Sequence, residues 1–185
     1  TFEPRLGMKI NATKNLRFKF SSGLYTQNFI STKSDRDVVN LFTGFLSGPD
    51  ETLEDIEGED VADNLQKSFH AIGGVEMDLG KHFDLNMETY YKNFGQLINI
   101  NRNKLFPSDP NYIVERGRAY GFDALLKYDY KRLFAWVVYS LSFVDRNDGV
   151  QVYPPHFDRR HNVNFLSSYK LGNCLLYTSP SPRDL

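Results

Sequence analysis

Apolar and polar residues alternate through Gly117–Val144, GRAYGFDALLKYDYKRLFAWVVYSLSFV. In the first arm Tyr120, Phe122, Ala124, Leu126 and Tyr128 oppose Gly121, Asp123, Leu125, Lys127 and Asp129. Strand side chains change faces at every residue, so this arm has one apolar and one mostly polar face. Tyr130-Lys131-Arg132 is a polar corner, after which Val137, Tyr139, Leu141 and Phe143 are set against Val138, Ser140 and Ser142. Each arm is longer than an ordinary globular strand of about five or six residues. It matches the length a tilted strand needs to cross a bilayer.

The same alternation recurs along the chain. Glu3–Ala12 sets Leu6, Met8 and Ile10 against Gly7, Lys9 and Asn11, and a corner follows at Thr13-Lys14-Asn15. Leu16–Thr26 sets Leu16, Phe18 and Phe20 against Arg17, Lys19 and Ser21. A long excursion, Gln27–Lys67, holds an amphipathic patch (Asp37–Leu46) and an acidic run (Asp50–Asp60). Alternation resumes over Ser68–Gly80, turns at Lys81-His82-Phe83 and returns through Asp84–Asn93. A second excursion, Phe94–Arg116, leads into the first hairpin, a third is Asp145–Phe157, and Asp158–Leu171 is the last strand.

The prediction is all-β: seven antiparallel up-and-down strands joined short, long, short, long, short, long. A loop of some forty residues is foreign to a compact soluble domain. Alternating short turns and long loops are the habit of transmembrane β-barrels. Apolar-out, polar-in strands in lipid leave no edge unpaired only when the sheet closes. Seven strands are too few to close around such a polar interior, so the sequence reads as an open slice of a larger barrel.

Composition adds limits. Cys174–Leu185 (CLLYTSPSPRDL) reads as translated sequencing adapter, a non-native tail set apart from a partial barrel over 1–173. The one cysteine lies in that tail, which leaves no disulfide framework and no thiolate metal site. The net charge is −1, and with Arg183 and Asp184 cancelling it stays so without the tail. That balance gives no electrostatic case for nucleic acid. Mean hydropathy of −0.47 suits a soluble protein and a polar-lined barrel alike. The 15% aromatic content is high, and many rings (Tyr91, Tyr120, Phe122, Phe143, Tyr169) fall near strand ends, as an interfacial girdle would require.

The pieces EPRLGMKI, VEMDLGKHFDLNMETYYKN, GRAYGFDALLKYDYKRLFAWVVYSLS and HFDRRHNVNFLSSYKLG, with the loop text DRDVVNLFTGFLSGPD, resemble the barrel of TonB-dependent outer-membrane receptors of the Bacteroidetes type. The resemblance covers nearly all of residues 1–173. It implies a segment from the C-terminal half of a barrel of about twenty-two strands, facing outer-membrane lipid. It further implies coupling to TonB through an N-terminal plug region elsewhere in the parent protein. The cargo would be a scarce nutrient: a siderophore, a cobalamin, a glycan or a peptide. A passive porin-like barrel and a soluble carbohydrate-binding β protein are the alternatives.

Candidate chemistry is sparse. His70, His82, His156 and His161 lack the spacing of a zinc site, and no cofactor motif occurs. Asp158 with His161 lacks a serine in a nucleophile elbow, so no catalytic residue is assigned. The acidic run reads as a solvated loop, or as a carboxylate collector for a hard cation without the ligand spacing of a dedicated loop. Substrate contacts fall to inward residues near the long loops: Tyr25, Lys92, Glu115 and Arg160. Arg160, inward by alternation, belongs to the dense cluster Asp158-Arg159-Arg160-His161, read as an anion contact or as part of an ion-pair network.

Overall fold

The computed structural model describes residues 2–31, 45–47, 52–101, 104–156 and 158–171. The tail from Cys174 to Leu185 and most of the Asp37–Leu46 patch lie outside them. Ten strands follow in order: β1 (Arg5–Asn11), β2 (Leu16–Gln27), β3 (Phe29–Ser31), β4 (Phe45–Ser47), β5 (Gln66–Leu79), β6 (Phe83–Ile100), β7 (Tyr112–Tyr130), β8 (Leu133–Asn147), β9 (Val152–Tyr153) and β10 (His161–Tyr169). Among the described residues there is no helix.

One antiparallel sheet holds β1-β2-β5-β6-β7-β8-β10 in that order, with β9 added beside the far end of β8. It does not close: β1 and β10 each have one neighbour. The pair β3–β4 stands apart. The turns are tight where the sequence has its corners. Tyr130 pairs Leu133 across Lys131-Arg132, with Lys131 in the left-handed region at φ 54°, and Gly80 at φ 81° opens the β5–β6 turn.

The register lines up whole rows across seven strands. Ile10, Phe18, Val75, Met87, Ala124, Tyr139 and Val163 form one row of paired residues. The adjacent row is Lys9, Lys19, Gly74, Glu88, Asp123, Ser140 and Asn162. Neighbouring rows point to opposite faces, so one face is apolar and the other polar along the sheet's whole width. The apolar face is bare: Leu6 is 64% and Phe165 71% exposed, with Phe18, Phe20, Tyr91 and Phe122 also open.

Two strands run further than their alternation suggests. β6 and β7 have 18 and 19 residues, and much of the expected excursion Phe94–Arg116 is strand. The cause is a bulge: Phe94 pairs Gly117 but Leu97 pairs Glu115, so Gly95 and Gln96 together oppose one residue. A bulge shifts the parity of everything beyond it, and a fixed period of two loses the strand there. The remaining connection, 101–111, holds both prolines of that excursion.

The only buried apolar cluster among the described residues sits at this extended end. Ile30, Leu53, Ile98 and Val114 are buried together, with Val61 and Tyr112 against them. Residues 53–61 double back on themselves, Val61 N–H donating to Leu53 C=O at 2.9 Å and Asp55 N–H to Glu59 C=O at 2.8 Å. The connecting chain supplies Ile30, Leu53 and Val61, and the strands supply Ile98 and Val114. Among the described residues, no second layer covers the apolar face at the middle of the sheet.

Candidate functional site

The polar face divides into two regions. Toward the tight turns it is an ion-pair lattice. Arg17 Nε donates to Glu76 Oε2 at 3.0 Å and Nη1 to Asp78 Oδ2 at 2.8 Å. Lys9 Nζ donates to Glu76 Oε2 at 2.8 Å, and Lys19 Nζ reaches Glu76 Oε1 at 3.0 Å and Glu88 Oε1 at 2.7 Å. The pairs span β1, β2, β5 and β6, and each is a charge-assisted bond at short range. Charged residues on neighbouring strands face one another because the register places Arg17 opposite Glu76. No ligating cluster of three or more His, Cys, Asp or Glu occurs among the described residues.

Toward the extended end the same face carries rings and cations. Tyr25 stacks on His70, ring centroids 4.5 Å apart, and Phe94 meets His70 edge-on at 6.1 Å. The Arg5 guanidinium lies 4.5 Å from the centroid of the Tyr25 ring. Lys92 pairs directly with His70 across β5–β6, and its Nζ lies 5.4 Å from the Tyr90 centroid. A concavity of about 320 Å³ opens here, lined by Tyr25, Thr26, Gln66, Ser68, His70, Phe94 and Leu97 among others. Two of the four expected contact residues, Tyr25 and Lys92, are thus brought to one imidazole.

The other two stand elsewhere. Glu115 is 1% exposed and sealed in a network: Tyr153 Oη donates to Oε1 at 3.0 Å, Arg146 Nη1 to Oε2 at 3.3 Å, and Asn99 Nδ2 to Oε1 at 3.5 Å. A carboxylate so enclosed fastens β9 to the sheet. Arg160 precedes β10, which begins at His161, so strand alternation does not govern its side chain. Its Nε donates to Asp158 Oδ2 at 2.9 Å, and the guanidinium lies 4.7 Å over the Phe143 ring, a member of the apolar face. His161 bonds Tyr139 Oη at 2.9 Å through Nδ1.

The described part of the acidic run is tied to the protein's own donors. Arg116 donates to Asp55 Oδ2 at 3.0 Å and to Glu57 Oε1 at 2.9 Å. The backbone N–H of Glu57, with that of Glu59 and the Arg116 charge behind it, holds the Asp55 carboxyl below its usual range.

His70, Phe94 and Arg5 were absent from the expected contacts. The His70–Lys92 pairing follows from the corner at 81–83 by counting outward, whereas Tyr25 reaches His70 only because β2 pairs β5 across some forty intervening residues. Comparison with protein-family profiles, characterised proteins and solved structures finds no match to this chain, so its function has to be argued from its own geometry.

Proposed function

We propose that this chain forms part of the wall of an outer-membrane β-barrel, in a TonB-dependent receptor that actively imports a nutrient such as a siderophore, cobalamin, glycan or peptide. One observation carries the reading: seven strands in continuous register put apolar rows bare on one face and an ion-pair lattice on the other. In water, so wide an apolar surface is a liability. In a bilayer it is what lipid requires, and the charged lattice then lines a wet interior. The open edges at β1 and β10 belong with further strands, since a spanning edge in lipid leaves its N–H and C=O groups unsatisfied. The resemblance of the strand and turn segments to TonB-dependent receptors supports the choice of energised uptake over passive diffusion.

The test is expression of the complete gene in a Gram-negative host. A band in the outer-membrane fraction that shifts on boiling, and nutrient uptake lost on deletion of TonB, are the expected results. Uptake indifferent to TonB would make the protein a passive pore. Recovery as a soluble periplasmic or secreted protein would refute the membrane reading altogether.

A further inference from the structure

We infer that His70 and Lys92, walled by Tyr25 and Phe94, form a recognition subsite for an oxyanion (carboxylate or phosphate) carried on a flat ring. The inference rests on the polar face being the inside of a transport barrel, and it names the ligand chemistry that face would take. Three observations lead to it. The Nε2 atom of His70 is buried and has no hydrogen-bond partner. A buried polar atom left unpaired is costly, and a ligand that hydrogen-bonds to it would relieve that cost. The neighbouring cations are also unequal. Arg5 is paired with Glu3 at 2.7 Å and Lys67 with Asp63 at 2.9 Å, whereas Lys92 has no carboxylate partner among the described residues. Lys92 and His70 are direct cross-strand partners, a relation that brings their Cβ atoms within about 5 Å. An oxyanion seated in the concavity that His70 lines would therefore have Lys92, on the next strand, as its neighbouring cation. Beside them, Tyr25, Phe94 and Leu97 line the concavity with apolar surface suited to a ring's face.

The experiment uses the complete parent protein folded in detergent micelles, with 2-naphthoate, its neutral isostere 2-naphthamide and inorganic phosphate as probes, followed by titration calorimetry and NMR of 15N-labelled histidine. Naphthoate should bind saturably and at least tenfold tighter than naphthamide, and should shift the His70 ring nitrogens. Lys92→Gln should cut naphthoate affinity at least fivefold and leave naphthamide unchanged, while Lys92→Arg keeps the preference. Equal binding of acid and amide, or a His70 ring indifferent to the acid, overturns the subsite even if the variants do not fold. Phosphate that displaces naphthoate at equal concentration removes the ring from the proposal and overturns that half of it. A chain that stays soluble without detergent and still prefers the acid would defeat the membrane reading and leave this subsite standing. A chain that needs detergent and does not discriminate would do the reverse.

Discussion

Leu125 and Leu126 are neighbours on β7 and lie in opposite environments. Leu126 falls in a row with Met77, Leu85, Val137 and Phe165, and Leu125 in a row with Arg17, Glu76, Asn86 and Asn164. A charge at a lipid-facing midplane position of a barrel costs about 2–4 kcal/mol, whereas substitutions on the interior face mainly tune selectivity. In the complete barrel, Leu126→Arg should sharply lower the heat-modifiable folded band and the denaturant midpoint. Leu125→Arg should be tolerated far better. Equal damage would indicate a strand covered on both faces, as in a soluble sandwich.

Gly121 has no room for a side chain. A Cβ there would come within 2.5 Å of both the Leu141 carbonyl oxygen and the Tyr90 hydroxyl, and Tyr90 is its cross-strand partner. The tyrosine can swing away, but the carbonyl belongs to the neighbouring strand's ladder. Gly121→Ala should therefore destabilise by about 1–3 kcal/mol, the usual penalty of overpacking. Gly73, with nothing within 4 Å, should accept alanine without loss. Denaturant midpoints of the two variants check the contrast.

Glu115 should behave as a fastening rather than a contact. Removing one member of a buried ion pair costs roughly 3–5 kcal/mol. The lower end is expected here, because the Arg146 side chain keeps 20% exposure and can rehydrate. Glu115→Ala should loosen the β8–β9 connection, read as faster amide exchange at Val152 and Tyr153. Tyr153→Phe removes one hydrogen bond and should cost about 1 kcal/mol. Neither change should alter binding at Lys92.

The Asp55–Arg116 latch should respond to acid. Asp55 has a carboxyl held below its ordinary value of 3.8, so its share of stability is complete above that value and lost as pH falls through the depressed one. The contact should therefore persist at pH 5 and open only in strongly acidic solution. Carboxyl 13C shifts of Asp55, with Asp55→Asn as control, would follow the opening. A midpoint at or above the ordinary value would contradict the geometry.

What the sequence disclosed depended on whether period two held. The strands flanking the corners at 13–15, 81–83 and 130–132 were legible with their faces, because nothing interrupts the alternation there. Beyond the bulge at Gly95–Gln96 parity slips by one, so a fixed period of two predicts loop where the outer ends of β6 and β7 are strand. The three short strands β3, β4 and β9 have too few residues to show any period. Of the residues expected to contact substrate, Lys92 can be placed beside His70 by counting from a turn. The sealing of Glu115 required Tyr153, which arrives from a separate excursion. Arg160 stands one residue before its strand, against Asp158 and the Phe143 ring, a placement that alternation along the strand does not reveal.

Were the sheet to close as we propose, its two outermost strands would fix what must complete it. β1 and β10 are separated by an even number of antiparallel steps, so both run toward the tight-turn end. Any piece that joins them with antiparallel seams on both sides must contribute an odd number of strands. A second copy would supply seven strands, an odd number, but its edges would run antiparallel to β1 and β10 only if it were inverted across the bilayer. Two like-oriented copies would meet edge to edge in parallel, with slanted and slightly weaker bonds. Completion by a distinct set of strands, odd in number and beginning and ending opposite to these edges, meets the geometry without that penalty.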